Sequence, residues 1–334
     1  MLQNFITSLE AVLPLFLMIL LGMLLRRTGM LEEKSRQSMN QLSFRVFLPI
    51  YLFCTLYAIE DISAVFDPKL LIFGVAGLVT AFTLLMLAIP LVERENRRRS
   101  VMIQAMFRSN FALFGLPLAE SLCGGQIGPT SLMLGLTVPI FNTLAVICLE
   151  TFRGGKPSGR KMLRGIATNP LIIGCLLGIA FYCLKTCAGF TLPAFLHSTT
   201  RATVDGTVKS FHAGALVKLG NIATPLSLIS LGSQFALGSV RGFRFQLTLT
   251  VVVRLVVLPV IMVTLGVLLG LRNEFLVPVL IMFGAPTAVS SYPMAQQMGG
   301  DSDLAAAAVV FTSGFASLTI FLFIFALKSL GLIL

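Results

Sequence analysis

The sequence predicts an all-α membrane protein of ten transmembrane helices, arranged as two five-helix halves of opposite orientation. Three observations carry that expectation. Of the 334 residues, 56% are hydrophobic and only 12% charged, against roughly 25% charged in a soluble domain. Ten mostly apolar runs of about 17 to 28 residues follow one another, each long enough to cross ~30 Å of hydrocarbon. Two distant stretches then read almost alike: Gly115-Leu116-Pro117-Leu118-Ala119-Glu120 before Gly124-Gly125, and Ser291-Tyr292-Pro293-Met294-Ala295-Gln296 before Gly299-Gly300. Pro117 and Pro293 lie 176 positions apart, about half the chain.

The first run, 9–25, is followed by Arg26-Arg27, and Met1 to Ala11 carries no positive charge, so a span is expected there and no cleavable signal. The second, 38–58, holds Phe47-Leu48-Pro49-Ile50, and the third is 69–91. The fourth, 101–123, is interrupted by Pro117 and carries Gln104, Arg108, Asn110 and Glu120. The fifth, 129–150, carries Asn142. A basic linker, 151–168, separates a first repeat at 1–150 from a second at 169–334. The sixth run is 169–187. Segment 188–213, with His197 and His212, is expected as an external loop, part of it a short interfacial helix. The seventh, 214–237, echoes the second in Ala223-Thr224-Pro225-Leu226 and carries Gln234. The eighth is 245–270. The ninth, 275–298, gathers Thr287, Ser290, Ser291, Tyr292, Gln296 and Gln297 around Pro293, and the tenth is 303–330. Because five is odd, the second half is inverted relative to the first, an arrangement of many secondary transporters. A proline inside such a helix frees carbonyls that need other partners in lipid, and matched breaks in two halves point to a substrate site near the midplane.

The net charge of +11 is explained by placement. With the N-terminus outside, inner segments hold fifteen cations: Arg26, Arg27, Lys34, Arg36, Arg94, Arg97, Arg98, Arg99, Arg153, Lys156, Arg160, Lys161, Arg164, Arg241 and Arg244. Outer segments hold seven. The positive-inside rule therefore puts both termini on the non-cytoplasmic side, and no nucleic-acid partner is expected. The six cysteines read as buried small hydrophobes, and no metal site is expected. An intramembrane serine protease needs a membrane histidine and an aspartyl type needs two membrane aspartates; neither is present, so no enzyme is expected. No Thr-Val-Gly-Tyr-Gly filter marks a channel.

Polar residues in lipid are costly and usually face a bundle interior or a wet cavity. Candidate substrate-binding residues are Asn110, Asn142, Ser290, Ser291, Tyr292 and Gln296, beside the break prolines Pro117 and Pro293. Asn110 comes seven residues before Pro117, about two turns; it either contacts substrate or caps the broken helix. Glu120 is the only carboxylate well inside a span, hence the candidate proton carrier, with a water-exposed helix end as the alternative. Arg45, Arg108 and Arg254 either snorkel to the interface or make the inner vestibule positive.

Together, Phe47-Leu48-Pro49, Asn110 with Gly115-Leu116-Pro117, Asn169-Pro170, Pro225-Leu226 with Leu231-Gly232, and Ala285-Pro286-Thr287-Ala288-Val289 with Ser291-Tyr292 make the chain resemble bacterial permeases of the auxin efflux carrier family. The resemblance implies the fold of sodium/proton antiporters and bile-acid symporters, with fourth and ninth helices broken and crossing. It implies a scaffold from spans 1, 2, 6 and 7 and a transport domain from spans 3–5 and 8–10, moving elevator-like. Ser290 stands where many relatives have asparagine, and either Pro286 or Pro293 marks the ninth-helix break. The expected substrate is a small organic anion, such as a carboxylate or an auxin-like compound, without cofactor and with H+ or Na+ as coupling ion. A channel or membrane sensor on the same scaffold is the alternative. The expected setting is the bacterial inner membrane, among lipids, with a homodimer compatible.

Overall fold

A computed structural model describes residues 2–58, 67–111, 115, 118–119, 122–123, 128–154, 167–204, 207–234 and 242–333. It is helical apart from one hairpin. In chain order the helices are α1 (Leu2–Arg27), α2 (Glu33–Leu42), α3 (Leu48–Tyr57), α4 (Pro68–Val92), α5 (Asn96–Phe107), α6 (Gly128–Phe152), α7 (Pro170–Ala188), α8 (Ala215–Asn221), α9 (Ala223–Gln234), α10 (Arg244–Val252), α11 (Leu258–Leu268), α12 (Val277–Gly284), α13 (Ser291–Met298) and α14 (Ser302–Ser329). Among the described residues, six helices or helix pairs are long and apolar enough to cross a membrane: Pro68–Val92, Leu132–Phe152, Pro170–Ala188, Ala215–Ser233, Arg244–Leu268 and Ser302–Ser329.

Proline sets several of the boundaries. Pro68 and Pro170 open α4 and α7 in the first turn, where the missing N–H costs nothing, each behind an Asp67 or Asn169 side chain that caps the free backbone donors. Pro49 and Pro259 instead fall within continuous spans. Each is preceded by a π turn, Ser43–Phe47 or Val253–Val257, in which Leu48 N–H reaches Ser43 O and Leu258 N–H reaches Val253 O. The extra residue widens the turn ahead of a ring that would otherwise strike a carbonyl.

Two helix pairs pack closely through glycine. In α1 against α9, a Cβ on Gly22 would lie 2.1 Å from Ile229 O and one on Gly232 would lie 2.0 Å from Ile19 O. In α3 against α7, Gly174 and Gly178, four apart on one face, meet the Pro49 and Phe53 backbones. Backbones this close maximise dispersion contact where lipid supplies no hydrophobic drive.

The segment expected to hold an interfacial helix is an antiparallel hairpin, β1 (Ser198–Val204) with β2 (Thr207–Ala213), in register from Ser198 opposite Ala213 to Val204 opposite Thr207. The threonines and valines of these strands favour a pleated backbone, and Asp205-Gly206, outside the described residues, is a two-residue hairpin sequence. The cysteine expectation needs a correction too: Cys54, Cys148 and Cys175 are buried, but Cys183 and Cys187 are exposed on α7.

Candidate functional site

Two helices stop in mid-course and their extended continuations meet. The helix α5 ends at Phe107, and α12 ends at Gly284, with Ala285 extended at its C-cap. Asn110 N–H donates to Pro286 O at 2.8 Å, Ala288 N–H to Arg108 O at 3.2 Å, and Ser109 pairs antiparallel with Thr287. The bracing is reciprocal. Thr287 Oγ1 donates to Ala105 O at 2.8 Å, and Ser109 Oγ to Ile281 O at 3.5 Å, so each break closes a carbonyl of the other half-helix. Backbone groups freed by the breaks thus find partners away from water, as they must.

The ninth-run break is at Pro286, not Pro293. Pro293 is the third residue of α13, where its N–H would lack an intrahelical partner. Asn110 likewise stands on non-helical backbone between Arg108 and Phe111, rather than two helical turns before a break. Pro117 and Glu120 lie outside the described residues.

Beside the bridged breaks is a cavity of ≈ 60 Å³, room for about four waters. One wall comes from Arg108, Ser109, Asn110, Asn142, Ala288 and Ser290, the other from Leu48, Tyr51, Leu52, Thr224 and Ser227, next to Pro49 and Pro225. Arg108 is 3% exposed; its guanidinium donates to Asn142 Oδ1 at 2.6 Å and to Met294 Sδ at 2.8 Å. No carboxylate among the described residues pairs with it. Asn142 is fully engaged, its Nδ2 donating to Val138 O at 2.8 Å and Cys175 Sγ at 3.7 Å, so it positions Arg108. The Asn110 side chain is 5% exposed and its Nδ2 has no partner among the described residues. Ser290 immediately precedes α13, whose N-terminus adds positive potential.

Of the sequence-predicted residues, the cavity brings together Asn110, Asn142 and Ser290. Ser291, Tyr292, Pro293 and Gln296 do not line it. The buried Tyr292 hydroxyl turns toward Ser230 of α9 without completing a hydrogen bond, and Gln296 accepts from Asn40 of α2. Arg254 is neither at an interface nor in a vestibule: fully buried, it spends its donors on backbone carbonyls. Arg45 is exposed. Sequence reasoning missed Tyr51, Thr224 and Ser227. A signal existed for the last: Ser227, Ser230 and Ser233 recur every third residue, a buried polar stripe along one face of α9.

Comparison with known proteins points to a transport protein. A family model described as a membrane transport protein matches residues 7–154 and 156–324. An uncharacterized transporter of Methanothermobacter thermautotrophicus (strain Delta H) is 23% identical over 314 residues, 91% of this chain and 93% of that protein. The chain belongs to the membrane transport protein family, the auxin efflux carriers, and is a multi-pass transport protein, not an enzyme.

Proposed function

We propose that the protein is a secondary active transporter that carries a small organic anion, such as a carboxylate or auxin-like compound, by elevator-like alternating access. The observation that carries the substrate class is Arg108. A buried guanidinium without a carboxylate partner, beside an amide donor without any partner, both among the described residues, is stabilised when an anion enters. Ten spans in two inverted repeats with crossing breaks are supported by the reciprocal Ser109 and Thr287 bracing. A scaffold of spans 1, 2, 6 and 7 is supported by the close pairs α1 with α9 and α3 with α7. A transport domain of spans 3–5 and 8–10 supplies the opposite wall of the cavity, so sliding it would carry the site across the bilayer. The charge count favours both termini on the non-cytoplasmic side, and the resemblance to bacterial permeases favours the bacterial inner membrane. Coupling to H+ through Glu120, or to Na+, belongs to the same proposal.

Counterflow in proteoliposomes tests the reading. Labelled monocarboxylates, dicarboxylates and indole carboxylates should exchange saturably against unlabelled substrate, and Arg108→Gln should raise the half-saturating concentration at least about tenfold, the loss of one charge-assisted bond. Flux without counterflow would indicate a channel, and saturable exchange of cations or neutral solutes alone would overturn the anion assignment.

A further inference from the structure

Each half-helix that stops at the breaks leaves carbonyls without intrahelical partners and a partial negative charge of about half a unit at its C-terminus. Here two such ends, those of α5 and α12, are held against one another by the Ser109 and Thr287 bridge. Unrelieved, they repel across a medium that screens poorly. Arg254 lies between them. Its Nε donates to Ala285 O at 2.8 Å, Nη1 to Met106 O at 3.2 Å and Phe107 O at 3.1 Å, and Nη2 to Met282 O at 3.1 Å. Two of these carbonyls belong to α5 and two to the end of α12. One positive charge meets two half-charges, and no carboxylate among the described residues shares it. The planar fork of donors suits this role better than a point charge, because it addresses several acceptors at fixed angles. The side chain is delivered by the π turn Val253–Val257, where the widened backbone lets it leave the helix.

The geometry points to Arg254 as a tethered cation that holds both half-helices at the crossing, in the place an exchangeable monovalent ion would take among the same carbonyls. Rings of backbone carbonyls replace the hydration shell of such ions. Being covalently attached, Arg254 stays through every conformation, so the integrity of the crossing is independent of Na+ and K+. Removing the side chain leaves four converging carbonyls that a small cation can fill.

The test is the thermal stability of full-length protein in detergent, read with a thiol-reactive dye that reports exposure of the buried Cys148 and Cys175. Na+ is exchanged for choline at constant ionic strength. Wild type and Arg254→Lys should share one Na+-over-choline shift, smaller than that of Arg254→Ala. Arg254→Ala should melt lower in choline and recover by about 5 °C in Na+ or in millimolar methylguanidinium. A Na+-over-choline gain in wild type as large as that of Arg254→Ala would overturn the inference, as would an Arg254→Ala protein as stable as wild type, or a destabilised one that neither cation restores. Should Arg254→Ala not accumulate as folded protein, Arg254→Lys and Arg254→Gln carry the comparison: the lysine retains stability and the glutamine loses it, and equal loss in the two overturns the inference.

Discussion

Asn110 does two separable things. Its backbone N–H belongs to the bridge with Pro286, which any residue but proline can supply, whereas its side chain lines the cavity and its Nδ2 has no partner among the described residues. Asn110→Ala should therefore leave the melting temperature near wild type and weaken substrate affinity by ~1–3 kcal/mol, as for a buried polar partner left unpaired. Unchanged affinity with lowered stability would make the side chain a structural cap instead. This much was legible in the sequence, since a lone amide in an apolar run is expensive enough to need a reason. Arg254 was visible for the same cause, but its role was not. One guanidinium meets carbonyls some 28 and 148 residues away in sequence, and no local pattern encodes which carbonyls a break will free.

At the scale of elements, the sequence left Pro286 and Pro293 as alternatives for the ninth-run break, and the structure places it at Pro286. The offset of 176 that relates Pro117 to Pro293 also relates Asn110 to Pro286, and those two residues hydrogen-bond. Proline alone does not locate a break, because in a first turn, as at Pro293, it is accommodated without cost. The hairpin at 198–213 was legible in its β-branched strands and in the Asp205-Gly206 sequence between them, signals that an expectation of interfacial helix passed over. Helix contacts give a sharper prediction. Gly232→Ala puts a methyl 2.0 Å from Ile19 O and should lower the melting temperature by several degrees, whereas Gly242→Ala, with nothing within 4 Å, should not. Equal effects would remove the close approach of α1 and α9 as a source of stability. A second contact is pH-dependent. Burial alone would raise the Glu93 carboxyl, but the Glu95 N–H, the Gln246 amide, the Arg94 N–H and the Arg98 charge together hold it below the usual carboxylate range. A depressed group stabilises the fold above its unfolded pKa, about 4.3 for glutamate, and that contribution is lost as pH falls through the lower folded value. The melting-temperature gap between wild type and Glu93→Gln should be full at pH 7 and close below about pH 4; a gap constant with pH would show that the carboxylate charge contributes nothing.

For the whole molecule, the decisive question is whether the two walls of the cavity move relative to one another. Orientation comes first: on a cysteine-free background, a cysteine at Lys34 should resist an impermeant thiol reagent added outside cells while one at Thr200 reacts, and the reverse would invert the topology. At the end of the protein that carries the basic loops, Asn40 of α2 donates to Gln296 of α13, and Arg36 Nη1 donates to Ser233 O of α9 at 3.0 Å. The cavity residues Leu48, Tyr51 and Leu52 lie eight to twelve positions beyond Asn40 in the same span, about 12–18 Å along its axis. The Asn40 and Gln296 pair therefore lies on the basic-loop side of the cavity and, under the proposed division, joins a scaffold helix to a transport-domain helix. If the site crosses the bilayer by sliding one body along the other, this part-buried contact must part in every cycle. Asn40→Cys with Gln296→Cys, oxidised in proteoliposomes, should form a disulfide and reduce counterflow at least about tenfold, equivalent to raising the barrier by ~1.4 kcal/mol or more. Reduction should restore it, and each single cysteine should be unaffected by oxidant. Complete cross-linking with undiminished exchange would mean that the two bodies stay fixed at this end, and an elevator motion would then be excluded in favour of local gating around a stationary site.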